Sequence, residues 1–183
     1  MDRVLTLLRD TKFPINASRK NVSITKQTSF VLGEVNYRGQ AVLNYKTRGS
    51  SRFNKKFPEL YKAITDLIQG IYPEFKYTTI QVNKNVLSMP HIDKNNIGPS
   101  KIIALGDFIG GELYIEGMPF NIKNIWKSFN GKRGHWVAPF TGERYSLVFF
   151  THTFKPPNAK LRHITVQEDG IYDKGVLIKS YNR

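Results

Sequence analysis

Apolar residues recur along this 183-residue chain at two different spacings, and the change from one to the other falls near residue 77. Ahead of it, Val4, Leu7 and Leu8 share one side of a short amphipathic helix over residues 2–9, a pattern that Pro14 and Asn16 break. Residues 29–35 read as a strand and 48–56 as a basic loop. Pro58 then opens a helix in which Leu60, Ile64, Leu67 and Ile68 repeat at helical spacing as far as Gly70. Beyond residue 77 the spacing shortens to β-rich runs at 77–82, 101–105, 112–115, 126–129, 134–137 and 145–151, followed by 164–167 and 176–179. Asn130-Gly131 between two of these runs predicts a hairpin turn. Many short strands preceded by helices predict a mainly β protein with flanking helices (α+β), built as a double-sheet jelly roll or squashed barrel.

Length fits a single domain over 1–183, with residues 1–76 as a basic helical and strand support, 77–151 as the β core and 152–183 as C-terminal strands. The chain has no cysteine, which excludes disulfides, thiolate metal sites and a cysteine nucleophile; any metal must be held by nitrogen and oxygen. The apolar run from Val4 to Leu8 is too brief for a signal peptide core or a membrane span, so an intracellular protein, cytoplasmic or nuclear, is expected, with no membrane partner. Formal net charge is +14 and unevenly spread: twelve Lys and Arg against three acids in residues 1–56, ten against eight in 57–151, six against three in 152–183. Such a field attracts nucleic acid or an acidic polypeptide, although a purely solubilising surface has the same composition.

The chemistry is concentrated in His91-Ile92-Asp93, His135 and Arg144-Tyr145-Ser146. Two imidazoles and a carboxylate on one face of an iron ion leave about three positions open, enough for an organic acid and dioxygen together. Alternation along a strand sends His91 and Asp93 to one side and turns Ile92 into hydrophobic packing. Arg144 suits the distal carboxylate of a dicarboxylic co-substrate, since a buried carboxylate must be paired and a guanidinium pairs bidentately; Ser146, on the same strand face, supplies a further hydrogen bond.

Asn83 shares a strand face with Tyr77, Thr79 and Gln81, and either bonds the iron-bound end of the co-substrate or caps the strand. Asn95 and Asn96 either orient Asp93 or simply turn the chain. His152, ten residues ahead of Arg162, competes with His135 as the distal ligand, but choosing it strands Arg144 beside the apolar run Leu147, Val148, Phe149 and Phe150. His163 reads as a surface or packing residue. Trp126, Phe129, Trp136, Phe140 and Phe149 are expected mainly between the sheets, Trp136 being open to a substrate role. Tyr37, Tyr45, Arg48, Arg52 and Phe53 interleave aromatics with cations, as base-stacking surfaces and ordinary hairpins both do.

His91-x-Asp93, the segment Leu105-Gly106-Asp107-Phe108-Ile109-Gly110-Gly111-Glu112-Leu113, His135 and Gly142-x-Arg144-x-Ser146 together resemble the Fe(II)/2-oxoglutarate-dependent dioxygenase superfamily, over residues 77–151. The resemblance implies a double-stranded β-helix of cupin-like jelly-roll form, with His91, Asp93 and His135 as catalytic iron ligands and Arg144, helped by Ser146, holding the co-substrate. It implies Fe(II), 2-oxoglutarate and dioxygen as cofactor and co-substrates of a hydroxylase. The Gly-Asp-Phe-x-Gly-Gly-Glu-Leu run is similar to the TET/JBP nucleobase oxygenases, and Gly-Gly-Glu-Leu alone to prolyl-hydroxylase-like members. The expected substrate is therefore macromolecular: a nucleobase in DNA or RNA first, a prolyl or arginyl side chain second, with a non-catalytic metal or nucleic-acid binding module as a third reading. Loops around 36–56 and 94–100 are expected to select it.

Overall fold

Three helices and the first strands come from the basic N-terminal part. They are α1 (Asp2–Asp10), β1 (Ile15–Asn16), β2 (Gln27–Arg38), β3 (Lys46–Ser50), α2 (Arg52–Lys56) and α3 (Pro58–Ile71). The β-rich part supplies β4 (Thr79–Lys84), β5 (Asn96–Leu105), β6 (Phe108–Gly110), β7 (Leu113–Ile115), β8 (Met118–Phe120), β9 (Lys127–Phe129), β10 (His135–Val137), β11 (Phe140–Gly142) and β12 (Tyr145–His152). The last strands are β13 (Ile164–Gln167), β14 (Gly170–Asp173) and β15 (Val176–Ser180). The structure is a computed structural model that describes residues 1–16, 22–23, 27–38, 46–152, 164–167, 170–173 and 176–180, with side chains for 1–16, 22–23, 27–35 and 49–152.

The main sheet runs β1-β2-β4-β12-β5-β9, with β3 against β2, and its ladders are antiparallel where their registers are resolved. Period-two alternation gives each of its strands two characters. On one face, Phe30, Leu32, Ile80, Val82, Ile103, Leu105, Tyr145, Leu147 and Phe149 pack against Val4 and Leu8 of α1 and Leu60, Ala63, Ile64 and Ile68 of α3. On the other, Ile102 and Ala104 join Phe108, Leu113, Ile122 and Phe129 in a second core against the small sheet β10-β7-β8 and the pair β11-β6. A helix-backed sheet facing a smaller antiparallel sheet is the expected double-stranded β-helix. Residues 36–49 and 154–183 form a second unit, in which β13, β14 and β15 make their own antiparallel sheet.

Three local expectations are revised. Residues 48–56 are not a loop: β3 ends at Ser50, and the Ser51 side chain accepts from the Phe53 N–H (3.2 Å) to cap α2. Asn130-Gly131 turns the chain without closing a hairpin, because β9 pairs with β5 while β10 pairs with β7. The Asn130 side chain accepts from the Lys132 N–H at 3.0 Å, and its carbonyl accepts from the Arg133 N–H at 3.0 Å, so the turn carries the chain from one sheet to the other. Trp126 and Phe149 pack in the helix-facing core, not between the sheets.

Candidate metal centre

His91 lies on an isolated antiparallel rung and not within a strand: its N–H donates to the His135 carbonyl at 3.1 Å, and the His135 N–H returns the bond at 3.0 Å. Past this rung the Asp93 N–H donates to the Gly131 carbonyl at 2.7 Å, and the Asn96 N–H donates to the Asp93 carbonyl at 3.2 Å, so the chain turns directly into β5. The strand expected over 91–93 is therefore one rung long. Ile92 is 42% exposed as a result, not packed.

The convergence of ligands holds regardless. One ligand atom from each of His91, Asp93 and His135 lies within 4.8 Å of the others, and these are the residues that group in this way among the described residues. His135 Nε2 stands 3.7 Å from Asp93 Oδ2. Ligands at right angles about a first-row ion stand roughly 3 Å apart, so a small inward adjustment seats a metal. Each Nδ1 is pressed to a backbone carbonyl, His91 on Met89 at 2.6 Å and His135 on Arg133 at 2.8 Å. A carbonyl only accepts, so Nδ1 carries a proton in both rings and Nε2 is the nitrogen left for a metal. That tautomer is the one a metal requires. The rings are tilted 4.3 Å apart between centroids, and Phe129 meets the His135 ring edge-on at 5.1 Å.

His152 stays outside this group: its backbone N–H donates to the Thr78 hydroxyl at 3.2 Å, and its ring lies 5.1 Å from that of Phe150. Arg162 and His163 lie outside the described residues. Of the two asparagines after Asp93, Asn95 is exposed in the turn, and Asn96 is buried with Nδ2 3.4 Å from both Asp93 Oδ2 and Ser100 Oγ.

Arg144 is 1% exposed. Its guanidinium lies 5.4 Å from the Phe108 ring centre and 5.2 Å from that of Phe140, donates from Nη2 to the Gly111 carbonyl at 3.2 Å, and leaves Nε without a partner among the described residues. Burial pushes its pKa down to about 10, opposed by the charge of Glu112 through space. It thus remains a cation at neutral pH, held among aromatic rings and one neutral acceptor, and such a charge calls for an anion. Ser146, two residues further along the chain, and Asn83 across the ladder from it are also buried, with Asn83 Nδ2 donating to Ser146 Oγ at 3.0 Å. One apolar cluster reaches both ends, since Phe129 touches His135 and Phe108 underlies Arg144.

No family model matches the chain, and no curated protein does. Among solved structures it is similar to a crystal structure from Burkholderia pseudomallei, described as an oxidoreductase of the 2OG-Fe(II) oxygenase family, with a TM-score of 0.52 and 17% identity over 87% of this chain and 81% of that one. The fold is that of a 2-oxoglutarate/Fe(II) oxygenase. Placed in this oxygenase fold, the donor set of two imidazoles and one carboxylate fits iron(II), and the orphaned Nε of a buried guanidinium fits a carboxylate.

Several residues around these groups escape a reading of sequence. Gly111 has φ +75°, and a Cβ there would stand 2.8 Å from Arg144 Nε and 3.2 Å from Phe140 Cβ, so the second glycine of the Gly-Gly-Glu-Leu run makes room for the guanidinium. Trp136 stacks on Tyr114 at 5.0 Å and 16°, on the face of β10 opposite His135. Arg52 lies over Phe53 at 4.8 Å, but Phe53 packs into the helix-side core against Phe30 and Phe57 and is no open stacking platform. Tyr45 and the side chains of Tyr37 and Arg48 lie outside the described residues.

Proposed function

We propose that this protein is an Fe(II)- and 2-oxoglutarate-dependent dioxygenase that hydroxylates a macromolecular substrate, a nucleobase of DNA or RNA. The observation that carries the reading is the pairing of Asp93 and two histidines that donate from Nδ1 with a buried arginine whose Nε has no partner among the described residues. His91, Asp93 and His135 would hold the iron, and Arg144 with Ser146 would hold the distal carboxylate of the co-substrate. Iron(II), when bound, supplies the activation of dioxygen coupled to oxidative decarboxylation of the 2-oxo acid. In the overall reaction a substrate C–H, dioxygen and 2-oxoglutarate become C–OH, succinate and carbon dioxide, one oxygen atom entering each organic product. The chain's own part is to fix ligand geometry through the two Nδ1–carbonyl bonds, to orient the acid through Arg144, and to keep water from the guanidinium with Phe108 and Phe140.

Charge supports a nucleic acid. The formal excess is +14, and exposed Lys94 and Lys132 directly follow Asp93 and Gly131 at the metal loop. The motif likeness to nucleobase oxygenases points the same way. A protein side chain is the second reading, favoured by the exposed apolar residues Leu87, Ile92 and Ile97 around the same loop. The deciding assay follows succinate release by Fe(II)-loaded protein with oligonucleotide and peptide pools. Wild type should release succinate, most with its substrate class, and His91→Ala and Asp93→Ala should lose both bound iron and turnover. Arg144→Ala should raise the Michaelis constant for 2-oxoglutarate by about tenfold or more. Full iron binding and turnover in the His91 and Asp93 variants would refute the assignment.

A further inference from the structure

A row of buried polar side chains crosses the inner face of the main sheet next to Arg144. Gln81 is 5% exposed, Asn83 8% and Ser146 5%, with Ser146 directly across from Asn83 in the β12–β4 ladder. Buried amides must be bonded, so the direction of each bond is dictated by whichever partner has no choice. The Phe30 carbonyl has none. It only accepts, and its 3.2 Å contact therefore comes from Gln81 Nε2. The same Nε2 is 3.0 Å from Asn83, which must present Oδ1 to it. Asn83 is left with Nδ2 facing Ser146, and donates to Oγ at 3.0 Å. Ser146 is thereby an acceptor on its β4 side, and its own proton meets no acceptor among the described residues.

We infer that Gln81 and Asn83 are positioning residues: a one-way relay from the Phe30 carbonyl through both amides keeps the Ser146 hydroxyl a donor, so that Ser146 and Arg144 together offer two donors to one carboxylate. This deepens the dioxygenase reading and rests on it. It also revises the role expected for Asn83, whose Oδ1 is committed to Gln81 and one of whose N–H groups is committed to Ser146. Were the relay reversed, Ser146 would donate toward β4 and turn a lone pair to the anion.

Anaerobic calorimetric titration of the Fe(II)-loaded protein with 2-oxoglutarate tests this through binding alone. In Asn83→Asp the carboxylate accepts from both neighbours and turns the last bond around. Affinity should fall about tenfold or more, as in Ser146→Ala, since a hydrogen bond to a charged group is lost in each. The double variant should be no weaker than Ser146→Ala, because both changes remove one donor. An added negative charge acting on its own would instead multiply the two losses, and that outcome overturns the relay, as does wild-type affinity in Asn83→Asp. Gln81→Met, which removes the director without adding charge, should also weaken binding, with folding checked by its melting temperature; unchanged affinity there counts against the relay too. If iron-loaded wild type binds no 2-oxoglutarate at all, the dioxygenase reading itself fails, a result visible before any variant is made.

Discussion

At Gly131 a Cβ would stand 3.0 Å from Asn96 Nδ2 and 3.3 Å from both Cβ and Oδ2 of Asp93. The bare backbone lets the Gly131 carbonyl hold the Asp93 N–H while the carboxylate turns toward the two rings. Gly131→Ala should therefore weaken metal affinity by about 10–100-fold, the range typical of disturbed outer partners, with little change in melting temperature. Metal titration against a competing chelator measures it, and an unaltered affinity would remove Gly131 from the site. The ligands themselves were legible because His91, Asp93 and His135 combine rare chemistry with a recognisable spacing. Gly131 was not, because a glycine after an asparagine reads as turn punctuation, and only coordinates reveal whose side chain a missing methyl accommodates. Ile92 shows the same limit from the other direction: an apolar residue between two ligands reads as core, yet the chain turns before a strand forms.

Two turns beside Arg144 interlock, and α1 buckles them together. Gly106 (φ +118°) and Gly142 (φ +97°) each lie where a Cβ would collide with a carbonyl of the opposite turn, Glu143 and Asp107 respectively, and the Glu143 N–H donates to the Asp107 carbonyl at 2.8 Å. Arg9 reaches from α1 to Asp107 at 2.7 Å and to Glu143 at 2.8 Å, and the Tyr145 hydroxyl donates to Glu143 at 2.7 Å. The Arg9 hydrogen bond, then that of Tyr145, holds the Glu143 carboxyl below its ordinary 4.5. A lowered folded-state pKa stabilises above the unfolded value, and the benefit vanishes as pH falls through the folded one. Glu143→Gln should thus melt below wild type at neutral pH, and the two should converge in acid, once pH has fallen through the lowered folded-state value, read from thermal melts across the pH range. An equal gap at every pH would show that the carboxylate charge is irrelevant. Among elements, α3 and β12 were legible because their apolar period runs long enough to show. The three-residue strands β6, β8 and β11 contain too little alternation to be seen, and the crossing of β9 and β10 into different sheets depends on pairing partners far away in sequence.

For the molecule as a whole, no helix among the described residues is long and apolar enough to cross a membrane, and the formal charge of +14 is the dominant long-range feature. A nucleic-acid partner makes that charge measurable as counterion release. Replacing Lys94 and Lys132 by glutamine should lower the slope of log affinity against log salt by about one per lysine that meets a phosphate. An unchanged slope would move the contact surface elsewhere. The mainly β architecture was readable from many short alternating runs, and the partner was not, because charge reports attraction and not the bond that reacts.

The mutual rung between His91 and His135 ties the two imidazoles through main chain alone. Their spacing is then inherited from the peptide backbone before any ion arrives, and the seat is prebuilt. Stripping the protein with a chelator should leave both amide protons slow to exchange with deuterium, while the Asp93 carboxylate, held by a long 3.4 Å side-chain contact to Asn96, is the ligand left to swing in and complete the grip.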